Sequence, residues 1–139
     1  MVEVWLIGDK RVAEAWKDIK GYEGLYQISN IGRVKSLSRI DSRGNKRNEK
    51  ILKISKNNSG YYFVGLCKNG KVKQYLIHRL VAEAFVRNPY NYSEVNHKDE
   101  DKQNNIADNL EWCTHEYNCK YGTRNKRVLE TKKRNRGDD

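Results

Sequence analysis

Val95-Asn96-His97-Lys98-Asp99-Glu100-Asp101-Lys102-Gln103-Asn104-Asn105-Ile106-Ala107-Asp108-Asn109-Leu110-Glu111-Trp112-Cys113-Thr114-His115-Glu116-Tyr117-Asn118 is the most informative stretch of this chain. Glu94 to His97 reads as a strand running into a loop rich in Asp, Asn and Lys, and Leu110 to Cys113 as a second short strand. Thr114 suits the N-cap of a helix over 115–121, with Gly122 closing it. Strand, loop, strand and helix in that order can aim His97 and Asn118 at one point. Taken singly these residues are ordinary, since a histidine in a polar loop is usually a surface group and Asn104, Asn105 and Asn109 are common turn residues.

Their combination has a definite chemistry. Histidine titrates near pH ~6.5, so a neutral imidazole is available to take a proton from water attacking a phosphodiester. An Asn side chain offers a carbonyl oxygen to a hard divalent cation, which can neutralise charge developing on the phosphate and on the leaving 3′ oxygen.

Working outward, Ile77, Leu80, Val81, Ala84 and Phe85 fall on one face of a helix predicted over His78–Val86, and Pro89 lies just beyond its end. Tyr61–Leu66 and Val72–Ile77 read as strands joined at Asn69-Gly70, a favoured hairpin turn. Ile51–Ile54 reads as a short strand, and 38–50 as an exposed polar loop. Tyr26 and Ile28 alternate with polar residues in a half-buried strand, Asn30-Ile31-Gly32 is a turn, and Arg33–Leu37 is a second strand. At the N-terminus a strand over Glu3–Ile7 followed by a helical turn is expected. Residues 123–139 are basic and lack apolar periodicity, which suits a solvated tail or an arm tracking phosphates.

The 139 residues carry a formal net charge of +10, with 37% hydrophobic and 33% charged residues. A chain this basic usually meets a polyanion, nucleic acid before an anionic membrane, because no long basic amphipathic helix is present. Lysine serving solubility alone is the plainer alternative. The apolar run Val4-Trp5-Leu6-Ile7 is too short for a membrane span, so an intracellular protein is expected. Cys67, Cys113 and Cys119 form no CxxC pair and are expected to be reduced and mostly packed.

The segment resembles the HNH (His-Me finger) nuclease motif, in the subgroup of phage and intron-encoded homing endonucleases. The runs Asn96-His97-Lys98-Asp99, Lys102-Gln103-Asn104-Asn105 and Asn109-Leu110-Glu111-Trp112 carry the likeness, as does the preceding His78-Arg79-Leu80-Val81-Ala82-Glu83-Ala84-Phe85. The resemblance implies His97 as general base and Asn109 as the residue that ties the loop together. It implies Asn96 and Asn118 as ligands of one Mg²⁺ or Mn²⁺ per active site, without a carboxylate in direct contact, so that metal binding without DNA is weak. Products with a 5′-phosphate and a 3′-hydroxyl follow from the same likeness. His115 receives no ligand role, and His78 is expected to be structural or to touch a phosphate.

Trp16 to Ser36 resembles the small modular domain often found ahead of the HNH unit. Candidates for gripping double-stranded DNA are Lys17, Lys20, Arg33, Lys35 and Arg39 in this part, Arg79 and Lys98 near the motif, and Arg124, Lys126 and Arg127 in the tail. The expected architecture is α+β: an extension over 1–15, a DNA-gripping domain over 16–56, a ββα-metal nuclease core over 57–122 and a basic tail over 123–139. It implies a monomer that nicks one strand, with a dimer as the alternative, encoded by a phage or mobile element and acting in a bacterial cytoplasm. A non-catalytic DNA-binding module derived from such a nuclease is the chief rival. A structural zinc protein binding RNA is a weaker one, since no Cys/His tetrad stands at zinc spacing.

Overall fold

The computed structural model describes residues 3–7, 9–41 and 43–119; the basic tail, with Arg124, Lys126 and Arg127, lies outside them. The chain opens with an antiparallel hairpin of β1 (Val4–Ile7) and β2 (Lys10–Ala13), with Trp5 opposite Val12. The helical turn predicted after the first strand is therefore a strand. A single turn of helix fixes many torsions for one hydrogen bond, whereas pairing with β1 satisfies several backbone groups together. The hairpin is clamped by a buried carboxylate. Glu14, its side chain 1% exposed, receives Arg33 Nε at 2.9 Å, Arg33 Nη2, and Trp5 Nε1 at 3.1 Å.

The next strands are β3 (Trp16–Asp18), β4 (Tyr26–Ser29) and β5 (Val34–Ser36). Alternation buries Tyr26 and Ile28 on β4, and Val34 on β5. The segment expected to be a loop contains a small hairpin, β6 (Arg39–Ile40) with β7 (Lys46–Arg47). Asp41 shapes its turn by accepting the Arg43 and Asn45 backbone N–H groups, each at 2.9 Å. Then β8 (Lys50–Ile51) returns to β5 and completes a sheet of order β3-β4-β5-β8. The strand predicted over Ile51–Ile54 is thus displaced to its flanks. Leu52 and Ile54 pack against the core instead, and Leu52 N–H donates to Val34 O at 2.8 Å.

A second sheet follows, with β9 (Ser55–Lys56) and β11 (Lys71–Leu76) flanking β10 (Tyr62–Lys68). Asn69 and Gly70 at its turn have φ of 54° and 76°, the left-handed pair that matches strand twist in a two-residue hairpin. Helix α1 (Ile77–Phe85) buries Ile77, Leu80, Val81 and Ala82 and meets both sheets. One apolar core runs from Ile28 and Val34 through Leu66, Ile77 and Val81 to Val95 and Leu110. The architecture is α+β, as expected. Cys113 is buried, but Cys67 and Cys119 are exposed, which corrects the expectation that the cysteines are mostly packed. No helix among the described residues is long and apolar enough to cross a membrane.

Candidate active site

The informative segment folds as an antiparallel ribbon, β12 (Glu94–His97) with β13 (Leu110–Cys113), followed by α2 (His115–Cys119). Thr114 Oγ1 accepts the Tyr117 N–H at 3.1 Å and so caps α2. Asn109, just before β13, closes the loop between the strands. Its Oδ1 accepts the Asp99 N–H at 3.1 Å, and its Nδ2 donates to Asp99 Oδ1 at 2.9 Å and to Asn104 O at 2.8 Å. Asn104 Nδ2 donates to the other Asp99 oxygen at 2.7 Å. Burial alone would raise the Asp99 carboxyl, but these donors hold it below the usual range, so it stays an anionic hub of the loop.

His97 ends β12 and is 5% exposed. Its Nε2 lies 2.8 Å from Asn105 Oδ1. An amide oxygen only accepts, so Nε2 carries the hydrogen and the basic lone pair is on Nδ1. Among the described residues the one buried side-chain N or O without a partner is His78 Nδ1. Burial lowers the His97 pKa, against the opposing influence of Asn105, Asp99 and Asp101, and keeps the ring neutral near pH 7. His78 and Tyr61 wall the same ring: centroids are 5.0 Å apart for His78 and His97, and 6.0 Å for Tyr61 and His97. Burial pushes His78 down to about 3, so it stays uncharged beside His97.

The amides lie on the neighbouring face. Asn96 is opposite Glu111 across the ribbon and donates from Nδ2 to Glu111 Oε1 at 2.9 Å. Asn118 on α2 donates from Nδ2 to Glu94 Oε1 at 3.0 Å, and Glu94 is two residues before Asn96 on the same side of the strand. His115 Nδ1 contacts the other Glu94 oxygen. No three His, Cys, Asp or Glu side chains among the described residues form a cage for a metal. The Asn96 and Asn118 carbonyl oxygens beside the Glu111 and Glu94 carboxylates make an oxygen-rich set that fits a hard, largely hydrated divalent cation better than zinc.

The N-terminal part braces this site. Asn30 O accepts the Ala107 N–H at 2.8 Å, and a Cβ on Gly32 would stand 3.2 Å from Asn105 Cβ, with φ at +94°. The turn between β4 and β5 thus backs the residue that orients His97. Lys10 on the hairpin pairs with Asp108 at 2.9 Å in the motif loop.

Two family patterns match the chain: the NUMOD4 motif over residues 14–67 and the HNH endonuclease over residues 75–120. The solved structure of the HNH homing endonuclease I-HmuI, described as showing DNA binding and cleavage, superposes with a TM-score of 0.64 at 36% identity, over 85% of this chain and 67% of that one. The chain belongs to the HNH endonuclease family. DNA endonuclease I-HmuI of Bacillus phage SP01 is 44% identical over 74% of this chain and 54% of its own length. An uncharacterized HNH endonuclease, L245, of Acanthamoeba polyphaga mimivirus is 38% identical over 79% of this chain and 30% of its own length. The chain thus spans about half the length of the phage relative and less of the viral one.

Against the family pattern, the structure distributes the basic candidates unevenly. Lys17 and Lys20 are exposed, and Lys17 Nζ reaches Ala84 O at 2.9 Å. Arg33 is tied to Glu14 and Glu3 and stacks between Trp5 and Trp16. Lys35 lies over Trp16, and Arg39 is bonded to Leu25 O and Tyr26 OH. Arg79 donates to Ser93 O and Lys98 is exposed. Sequence reasoning passed over Asn105 as a turn residue and gave no role to Glu94, Glu111 or Tyr61. Strand alternation was the available signal for Glu94. For Asn105, which folds back from the loop, there was none.

Proposed function

We propose that this chain is a metal-dependent DNA endonuclease of the homing type that nicks one strand, with His97 as general base. The observation that carries the proposal is the buried His97–Asn105 pair, which fixes the tautomer with the basic lone pair on Nδ1. In this mechanism Nδ1 takes a proton from water as the water oxygen bonds to phosphorus and the bond to the 3′ oxygen breaks; the departing oxygen takes a proton from solvent, leaving a 5′-phosphate and a 3′-hydroxyl. Asn96 and Asn118 would hold one Mg²⁺ or Mn²⁺, which neutralises charge on the phosphate and on the departing oxygen. Asn109 holds the loop that aligns His97 with the amides.

The phage relative is a DNA endonuclease whose solved structure concerns DNA binding and cleavage, which supports DNA as the substrate, proposed to be double-stranded, as does the net charge of +10. The proposed division of labour gives DNA gripping to the N-terminal part over 16–56 through Lys17, Lys20 and Lys35, with Arg79 and Lys98 flanking the nuclease core over 57–122. Arg33 and Arg39 support that surface from inside. A monomer with one site, carried by a phage or mobile element and acting in a bacterial cytoplasm, completes the proposal. The test is conversion of supercoiled plasmid and candidate phage or host DNA to nicked circles. Nicking with Mg²⁺ or Mn²⁺ and its loss with EDTA are expected; cleavage unaffected by EDTA would overturn the metal-dependent mechanism.

A further inference from the structure

Both amides assigned to the cation are backed by a carboxylate. The Asn96 Nδ2–Glu111 Oε1 distance is 2.9 Å and the Asn118 Nδ2–Glu94 Oε1 distance is 3.0 Å. An Asn side chain can turn over, exchanging its oxygen for its NH₂ group, and the wrong orientation would present hydrogens to a cation. A carboxylate only accepts, so it draws Nδ2 to itself and turns Oδ1 the other way. Asn96 is 6% exposed, so its side chain is held in one orientation by its surroundings and by Glu111. Glu111 is held on the same face of the ribbon as Asn96 by their direct pairing across β12 and β13.

We propose that Glu111 and Glu94 are positioning residues for a divalent cation, fixing the Asn96 and Asn118 carbonyl oxygens toward it and adding negative charge behind two neutral ligands. This rests on the proposed assignment of Asn96 and Asn118 as cation ligands. Hydrogen bonding of an amide NH₂ to an anion increases the electron density on its oxygen. A pair of backed amides can thereby serve where no carboxylate touches the metal. Outer partners of this kind are worth about 10- to 100-fold in metal affinity.

The experiment uses the full chain and Mn²⁺ alone. Paramagnetic broadening of backbone and side-chain amide signals, titrated against Mn²⁺ and reversed by Mg²⁺, reports even weak binding without any need for cleavage. Wild type should broaden first at the Asn96 and Asn118 side-chain amides. Glu111→Gln, which keeps an acceptor but loses the charge, should bind more weakly than wild type but more tightly than Glu111→Leu, which should weaken binding about 10- to 100-fold. Glu94→Gln and Glu94→Ala should repeat the pattern at Asn118, and they stand in if the Leu variant loses its folded spectrum. A Leu variant that binds like wild type would overturn the positioning role alone. A Gln variant as weak as Leu would overturn the orienting role and leave only the charge of Glu111 at work. Wild type without local broadening would overturn the cation site on which the inference rests.

Discussion

His78 should make this protein acid-sensitive by a calculable amount. The residue is 7% exposed, and burial first, then the charges of His97 and Arg79, lowers its pKa from 6.5 to about 3. Between those values the unfolded chain binds a proton that the folded chain does not, so stability is undiminished above the unfolded value and falls as the pH drops below it. Going from about pH 7 to about pH 4.5 should cost roughly 2–3 kcal/mol through this residue, and a folded value one unit higher barely changes the result. For a domain of this size that is roughly a 10 °C fall in Tm. The assay is thermal unfolding of wild type and His78→Phe at both pH values. The Phe variant keeps a ring against Tyr61 and His97 but cannot titrate. Its packing shifts both of its Tm values together, so the difference between pH values isolates the charge. Wild type should lose roughly 10 °C more than the variant. Equal losses would refute the claim that His78 is buried neutral beside His97.

Asn105→Ala leaves the His97 Nε2–H buried without an acceptor, which should cost about 1–3 kcal/mol in denaturant unfolding and lower kcat more than DNA affinity. Asn109→Ala removes three hydrogen bonds of the motif loop and should cost about 2 kcal/mol, with nicking lost while plasmid binding persists in gel shifts. Gly32→Ala combines a left-handed φ with pressure on Asn105; about 1–3 kcal/mol of destabilisation is expected, with a fall in kcat that a change at exposed Gly44 does not produce. Arg33→Met strands the Glu14 carboxylate beneath the hairpin, and urea titration should show a loss of about 3–5 kcal/mol, partly restored by adding Glu14→Gln.

Much of the fold was legible because periodicity and punctuation agreed. The bounds of β12 and β13 fall where the sequence placed them, and the Asn69-Gly70 turn and the α1 apolar face follow from local chemistry. The short strands were not legible. A two-residue ladder such as β6 with β7 depends on its partner and on Asp41 in the turn, and β2 depends on β1, so no single segment announces either. Core contacts of Leu52 and Ile54 displaced the strand expected there. At the site, the sequence supplied His97, Asn109, Asn96 and Asn118 through the family likeness. Their partners depend on how the chain folds back. Asn105 meets His97 across eight residues of loop, and Glu111 meets Asn96 only once the ribbon's register is set.

The central claim is that His97 removes the proton from the attacking water. The most direct measurement is nicking of supercoiled plasmid under saturating Mg²⁺ or Mn²⁺ by wild type and His97→Ala, with DNA affinity and folding measured on the same preparations. A loss of about 10²- to 10⁴-fold in rate with binding retained is the predicted result. Equal nicking by both proteins would contradict the assignment. Absence of nicking by either, with equal binding on cognate DNA, would leave a DNA-binding module in place of an enzyme.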